Sequence, residues 1–104
     1  MSYQFEIDGE HAVLSGDLTI YTVGEIKTCL SKALQATQYL EIDLSGVTEI
    51  DTAGLQLMLL AKRKPGTDVC FVHHSAAALR LVDLANLGRT LGDPLLVIER
   101  EEAL

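Results

Sequence analysis

The spacing of apolar and polar positions changes several times along the chain, and each change marks an element. Residues 3–7 and 11–15 are short apolar-rich runs separated by Asp8-Gly9, a dipeptide suited to a tight β-hairpin turn, so two antiparallel strands are expected. From Thr22 the period lengthens. Val23, Ile26, Leu30, Ala33, Leu34 and Thr37 recur at three and four, while Glu25, Lys27, Ser31, Lys32 and Gln35 fall opposite, which predicts an amphipathic helix. Thr22 as N-cap and Glu25 three residues later would complete a capping box. Residues 40–44 then alternate strictly between apolar and acidic and stop at Ser45-Gly46, a strand with one wet face. A parallel strand covered on both faces would be apolar throughout, so helices are expected mainly on one side of the sheet.

Val47-Thr48-Glu49-Ile50 leads into Asp51-Thr52-Ala53-Gly54. Good helix formers follow, with basic residues at 62–64 and a Pro65-Gly66 stop, which predicts a second helix. Ala53, Leu57, Leu60 and Ala61 share one face of it, and Leu55, Met58 and Leu59 gather on another. Either neighbouring helices cover this second stripe or it is an exposed partner surface. Residues 69–72 predict a further strand, Ser75 can cap a third helix through Leu79, Val82 and Leu84 to a stop at Gly88, residues 95–98 predict a last strand, and 99–104 a frayed tail. The order is that of an α/β sandwich: a mixed, mostly parallel sheet after an opening hairpin.

With 104 residues, one domain spanning 1–104 is expected. Eight Lys and Arg against fifteen Asp and Glu give a net charge of -7, the wrong sign for gripping a phosphate backbone, so nucleic acid is not an expected partner. The longest apolar run, residues 57–61, falls far short of the ~20 residues needed to span a bilayer, and the amino terminus lacks a basic region followed by an apolar one. Direct membrane insertion is not expected, and a cytoplasmic location is. Cys29 and Cys70, 41 positions apart in apolar stretches without CxxC spacing, read as reduced core residues. His73-His74 would point to opposite faces of a strand, which does not suit a metal site, and no oxyanion loop accompanies any pairing of these histidines with either cysteine. Neither catalytic residues nor a cofactor or metal are expected. Glu41 and Asp43, on an alternating strand, read as a solvated face.

Asp51-Thr52-Ala53-Gly54 is the most informative segment. A polar turn opening a helix places Thr52 at or beside the N-cap, where its hydroxyl can accept from helix amides. The same hydroxyl could instead receive a phosphoryl group, because helix-end amides favour an anion and Ala53-Gly54 leave room around it.

The segment Ile42-Asp43-Leu44-Ser45-Gly46-Val47 followed by Ile50-Asp51-Thr52-Ala53-Gly54-Leu55 resembles the signature of the STAS family, the anti-sigma factor antagonists. Leu14-Ser15-Gly16-Asp17-Leu18 is similar to that family's Leu-x-Gly-Glu-Leu after the second strand, and nearly the whole chain follows the family's element order. The resemblance implies that Thr52 is phosphorylated by a cognate serine/threonine kinase acting as anti-sigma factor and reset by a phosphatase. It implies that Asp51 orients the hydroxyl or partner contacts; together with the second apolar stripe of the helix read as a partner surface, the expected partner face is Asp51, Thr52, Ala53, Gly54, Leu55, Met58 and Leu59. Two positions depart from the pattern: Thr19 stands where the family often has Asp, and Ala53 where it often has a second hydroxyl. The implied function is a non-enzymatic, phosphorylation-switched antagonist. The alternatives are a STAS scaffold subunit of a bacterial phospholipid-transport ATPase, or a STAS regulator in a chemotaxis or sensory system. Oligomeric state is left open.

Overall fold

A computed structural model describes residues 2–84. The elements run β1 (Tyr3–Asp8), β2 (His11–Leu18), α1 (Val23–Ala36), β3 (Tyr39–Ile50), α2 (Thr52–Arg63), β4 (Asp68–Val72) and α3 (Ala76–Leu84). The strands form one sheet in the order β1-β2-β3-β4; β1 is antiparallel to β2, and β2, β3 and β4 are mutually parallel. The mixed α/β sheet is therefore as the alternating pattern requires. The expected strand at 95–98, the stop at Gly88 and the tail from Glu99 lie outside the described residues.

Register puts the apolar side chains on one face. Ala12 pairs with Ile42 and Ile42 with Phe71, and all three are buried. Their neighbours His11, Val13, Glu41 and Asp43 point the other way, as period-two geometry demands. Ile26 and Leu30 of α1 and Leu57 and Met58 of α2 close over Leu14, Ile42 and Phe71, leaving a void of only about 10 Å³. A side chain fully buried in this layer stabilises the fold by about 1.5–3 kcal/mol.

Several expectations are corrected. Ser45-Gly46 does not end a strand, because β3 continues to Ile50 and the irregularity is absorbed as register shifts against β2. Gly46 is needed there for close approach: a Cβ at that position would lie 2.7 Å from the Ser15 Cβ. The Leu14–Leu18 motif forms the end of β2 instead of following it. Thr22 occupies the N-cap position of α1 without capping it. Its hydroxyl donates to the Asp17 carbonyl at 2.8 Å and accepts the Thr19 N–H at 3.0 Å, so it closes the preceding turn, while Glu25 accepts from the Tyr3 hydroxyl at 3.2 Å. Cys29 and Cys70 are free thiols but only half-buried. Cys70 pairs in register with Glu41, on the face of the sheet opposite Ile42 and Phe71.

The two apolar stripes of α2 prove to be flanks of one buried arc. Gly54, Leu55, Leu57, Met58 and Ala61 are all buried, Met58 at 1% exposure, whereas Leu59 is half-buried and Leu60 is 56% exposed. The sheet faces the line between the stripes, so Leu55 and Met58 are core side chains and offer no docking surface. Met58→Ala is expected to lower unfolding free energy by about 2–5 kcal/mol in urea titration, and Met58→Asp to unfold the domain. A Met58→Asp protein that melts like the parent would contradict this placement.

On the wet face, Asp43 accepts the Ser45 N–H at 2.7 Å and pairs with the His73 Nδ1 at 2.9 Å. That pairing holds His73 in the left-handed region at φ 52°, where β4 gives way to α3. Burial opposes ionisation of Asp43, but the hydrogen bonds from Ser45 and His73 outweigh it and hold its carboxyl below the ordinary 3.8. A depressed carboxylate stabilises the fold above its unfolded value, and that contribution is lost as pH falls through the lower folded value. Asp43→Asn should therefore flatten the acid limb of stability below about pH 4. An unchanged acid limb would count against the pairing.

Candidate functional site

The start of α2 is built by Asp51 and Gly54. Asp51 has extended backbone at φ -125° and ψ -174°, and its Oδ1 accepts the Gly54 N–H at 3.1 Å, so Asp51 is the N-cap. Its other oxygen accepts the Ile20 N–H at 3.0 Å, and its own N–H reaches the Leu18 carbonyl at 3.3 Å. One carboxylate thus ties the helix start to the β2–α1 turn. Gly54 completes the seat by lying directly against β2: an added Cβ would stand 2.2 Å from the Leu18 carbonyl oxygen and 2.8 Å from Leu18 Cγ.

Thr52 follows as the first residue of the helix, exposed, with its hydroxyl uncommitted to any hydrogen bond among the described residues. This corrects the expectation that the Thr52 hydroxyl caps α2. A carboxylate one residue earlier reaches the Gly54 amide and leaves Thr52 facing outward. Ala53 is half-buried beside it. Asp51 orients the turn and the helix rather than the hydroxyl itself.

The apolar surface beside Thr52 comes from the turn that Asp51 grips. Ile20 is 62% exposed and Tyr21 is 72% exposed. Neither was singled out from the sequence, although two apolar residues in a turn just before a helix were the signal available. Thr19 is buried, with its hydroxyl accepting the Tyr21 N–H at 3.4 Å, so this position supports the turn from beneath. An open groove of about 450 Å³ continues from Thr19, Tyr21 and Asp51 past Glu49 to Arg80 of α3. Among the described residues, the site therefore joins a helix N-terminus, a hydroxyl without a hydrogen bond, the exposed apolar Ile20 and Tyr21, and the cation Arg80. Its amides and dipole accept added negative charge without disrupting the helix. Among the described residues, no group of three or more His, Cys, Asp or Glu is placed to hold a metal ion. No described helix is long and apolar enough to cross a membrane.

This arrangement is that of a STAS domain, and the chain belongs to that family: the family model described as "Mlab, STAS domain" matches residues 3–98. Similar solved structures include an anti-sigma factor antagonist from Mycobacterium paratuberculosis, 23% identical, with TM-score 0.72, covering 91% of this chain and 86% of that one. The antagonist SpoIIAA in its unphosphorylated form is 19% identical, with TM-score 0.65 and coverages of 99% and 98%. A Thermotoga maritima protein solved as a candidate antagonist is 20% identical, with TM-score 0.68 and coverages of 96% and 92%. Among curated proteins no sequence matches. These likenesses establish the fold.

Gly54→Ala tests the seat with an unambiguous sign. Helix propensity alone favours Ala over Gly by about 1 kcal/mol, whereas contact with the Leu18 carbonyl demands displacement of the helix start. The variant is expected to melt below the parent. A raised melting temperature would show that the close approach is not a constraint.

Proposed function

We propose that the chain is a regulatory binding protein, an anti-sigma factor antagonist, that engages a serine/threonine kinase acting as anti-sigma factor through the surface around Thr52. Phosphorylation of Thr52 ends that engagement, and a cognate phosphatase restores it. The observation that carries the reading is the exposed, unbonded Thr52 hydroxyl at a helix start whose capping is done by Asp51. The hydroxyl is accessible to a kinase, and its modification costs no hydrogen bond among the described residues. A phosphate brings roughly -1.5 to -2 charges. It arrives beside Asp51 and next to Ile20 and Tyr21, so a partner that buries those side chains must also desolvate the new dianion. Binding is lost while the helix persists. The protein acts by occupancy of this surface and not by catalysis, in the cytoplasm.

A second reading seats the same surface permanently on the ATPase of a bacterial phospholipid-transport complex. It is favoured by the description of the matching family model. Thr52 would then serve as a contact that is never modified.

Since Thr52 does not cap the helix, Thr52→Ala should change stability by less than about 0.5 kcal/mol, and it should bind the partner kinase even after incubation with ATP. Thr52→Asp places an acid in the first helical turn, where it is favoured by about 0.3–1 kcal/mol, so its melting temperature should not fall. Its affinity for the kinase in calorimetric titration should be reduced at least roughly tenfold, the scale expected when a buried contact acquires an unpaired charge. Parent-like binding by Thr52→Asp, or phosphate mapped to Ser45, Thr48 or Ser75, would overturn the switch. Co-purification of a transporter ATPase with no kinase would favour the second reading.

A further inference from the structure

Charge is divided between the layers of the fold. The four strands carry Glu6, Asp8, Asp17, Glu41, Asp43, Glu49 and Asp68 and no Lys or Arg. Helices α1 and α2 carry Lys27, Lys32, Lys62 and Arg63 against a single acid, Glu25, and Lys64 caps α2. The basic layer contains a groove of about 190 Å³ between the two helices. Leu30, Leu34, Leu57 and Ala61 form its apolar floor, and Leu60, 56% exposed, rises from it. Exposed Lys27 and Lys64 stand on its rim, one from each helix, and no acidic side chain lines it among the described residues.

Lys64 has a local explanation, because a cation at a helix C-terminus is favoured by the dipole. Lys27 does not. It lies in the first half of α1, just past the first turn and far from the C-terminal end where the dipole favours positive charge. Because α1 and α2 both connect parallel strands they run side by side in the same direction, so the two lysines mark opposite ends of the groove. Residues 27–34 span about 10 Å at 1.5 Å per residue, the length of two helical turns.

We propose that this groove is a second docking surface, separate from the Thr52 site, that takes an acidic amphipathic helix of a partner protein. The fit is one of charge and shape. A two-turn apolar stripe would lie against Leu30, Leu57 and Leu60, with a carboxylate toward Lys27 at one end and another toward Lys64 at the other. The exposed apolar surface is a groove with one protruding leucine, too small for insertion into a bilayer interface, which favours a helix over a membrane as the occupant. A partner held here stays bound whatever the state of Thr52.

The test uses the full chain labelled with 15N and a synthetic peptide of about 11 residues, three helical turns, with Leu at i, i+3, i+4 and i+7 and Glu flanking both ends. Amide shifts are expected at Lys27, Ser31, Leu60 and Lys64 and not at Ile20 or Thr52. The double variant K27E/K64E should weaken binding about tenfold or more and gain affinity for the same peptide carrying Lys in place of Glu. Thr52→Asp should bind the acidic peptide like the parent, so failure here is separable from failure of the switch. The proposal is overturned by absence of shifts at about 1 mM peptide, by affinity unchanged in K27E/K64E, or by shifts centred on Ile20 and Thr52. Stronger binding to phosphatidylglycerol vesicles than to the peptide would overturn it in favour of an anionic lipid surface.

Discussion

The carboxylate of Asp51 accepts two backbone amides from different parts of the chain, Gly54 in the helix it begins and Ile20 in the turn between β2 and α1. The geometry of the helix start and of the adjoining turn depends on that pair of bonds. The Gly54 amide is partly buried, and such an amide left without an acceptor costs about 1–3 kcal/mol, whereas the exposed Ile20 amide can turn to water. The turn and the helix start are therefore positioned together rather than independently. Gly54 supplies the complementary constraint by bringing the helix into contact with the Leu18 backbone, a distance that no side chain at that position would permit. Thr52 is presented between the two, one residue beyond the cap, with no hydrogen bond among the described residues to hold its hydroxyl inward.

The architecture beneath this seat follows from parallel β-α-β connections. Two helices must cross the same face of the sheet to link β2, β3 and β4, and they cover it with a closely packed apolar layer. The opposite face alternates out to Glu41 and Asp43 and is stitched to histidines, His11 with Glu41 at 3.2 Å and His73 with Asp43 at 2.9 Å. The exposed pairs contribute little to stability in water. Their larger effect is positional, since Asp43 fixes the turn through His73 from which α3 departs.

Elements with sustained periodicity were legible from the sequence. The α1 stripe of Ile26, Leu30, Ala33 and Leu34 and the alternation of residues 40–44 both reappear as buried positions, because each reports a single flat contact. Legibility failed where a residue serves a neighbour that the sequence does not reveal. Gly46 looked like a strand stop but provides room for Ser15, and Thr22 looked like a cap but closes a turn on Asp17. At the site, the motif located the helix start, but the residue that caps it is Asp51 and not Thr52. Thr52 and Asp51 exchange the capping role, and the apolar surface beside them comes from Ile20 and Tyr21, not Leu55 and Met58. Pattern shows that α2 has two apolar stripes; only the direction of the sheet shows that both flank one buried arc.

In the proposed switch, a change at Thr52 is read by a partner as charge and not as unfolding, because Asp51 and Gly54 hold the helix start in place. Native-state hydrogen exchange of the protein stoichiometrically phosphorylated on Thr52 tests this most directly. Amide protection from Leu55 through Ala61 should match that of the unmodified protein, with differences confined to the Ile20 turn and the first residues of α2. Loss of protection along the length of α2 would contradict it, and would show that the phosphate acts by melting the helix.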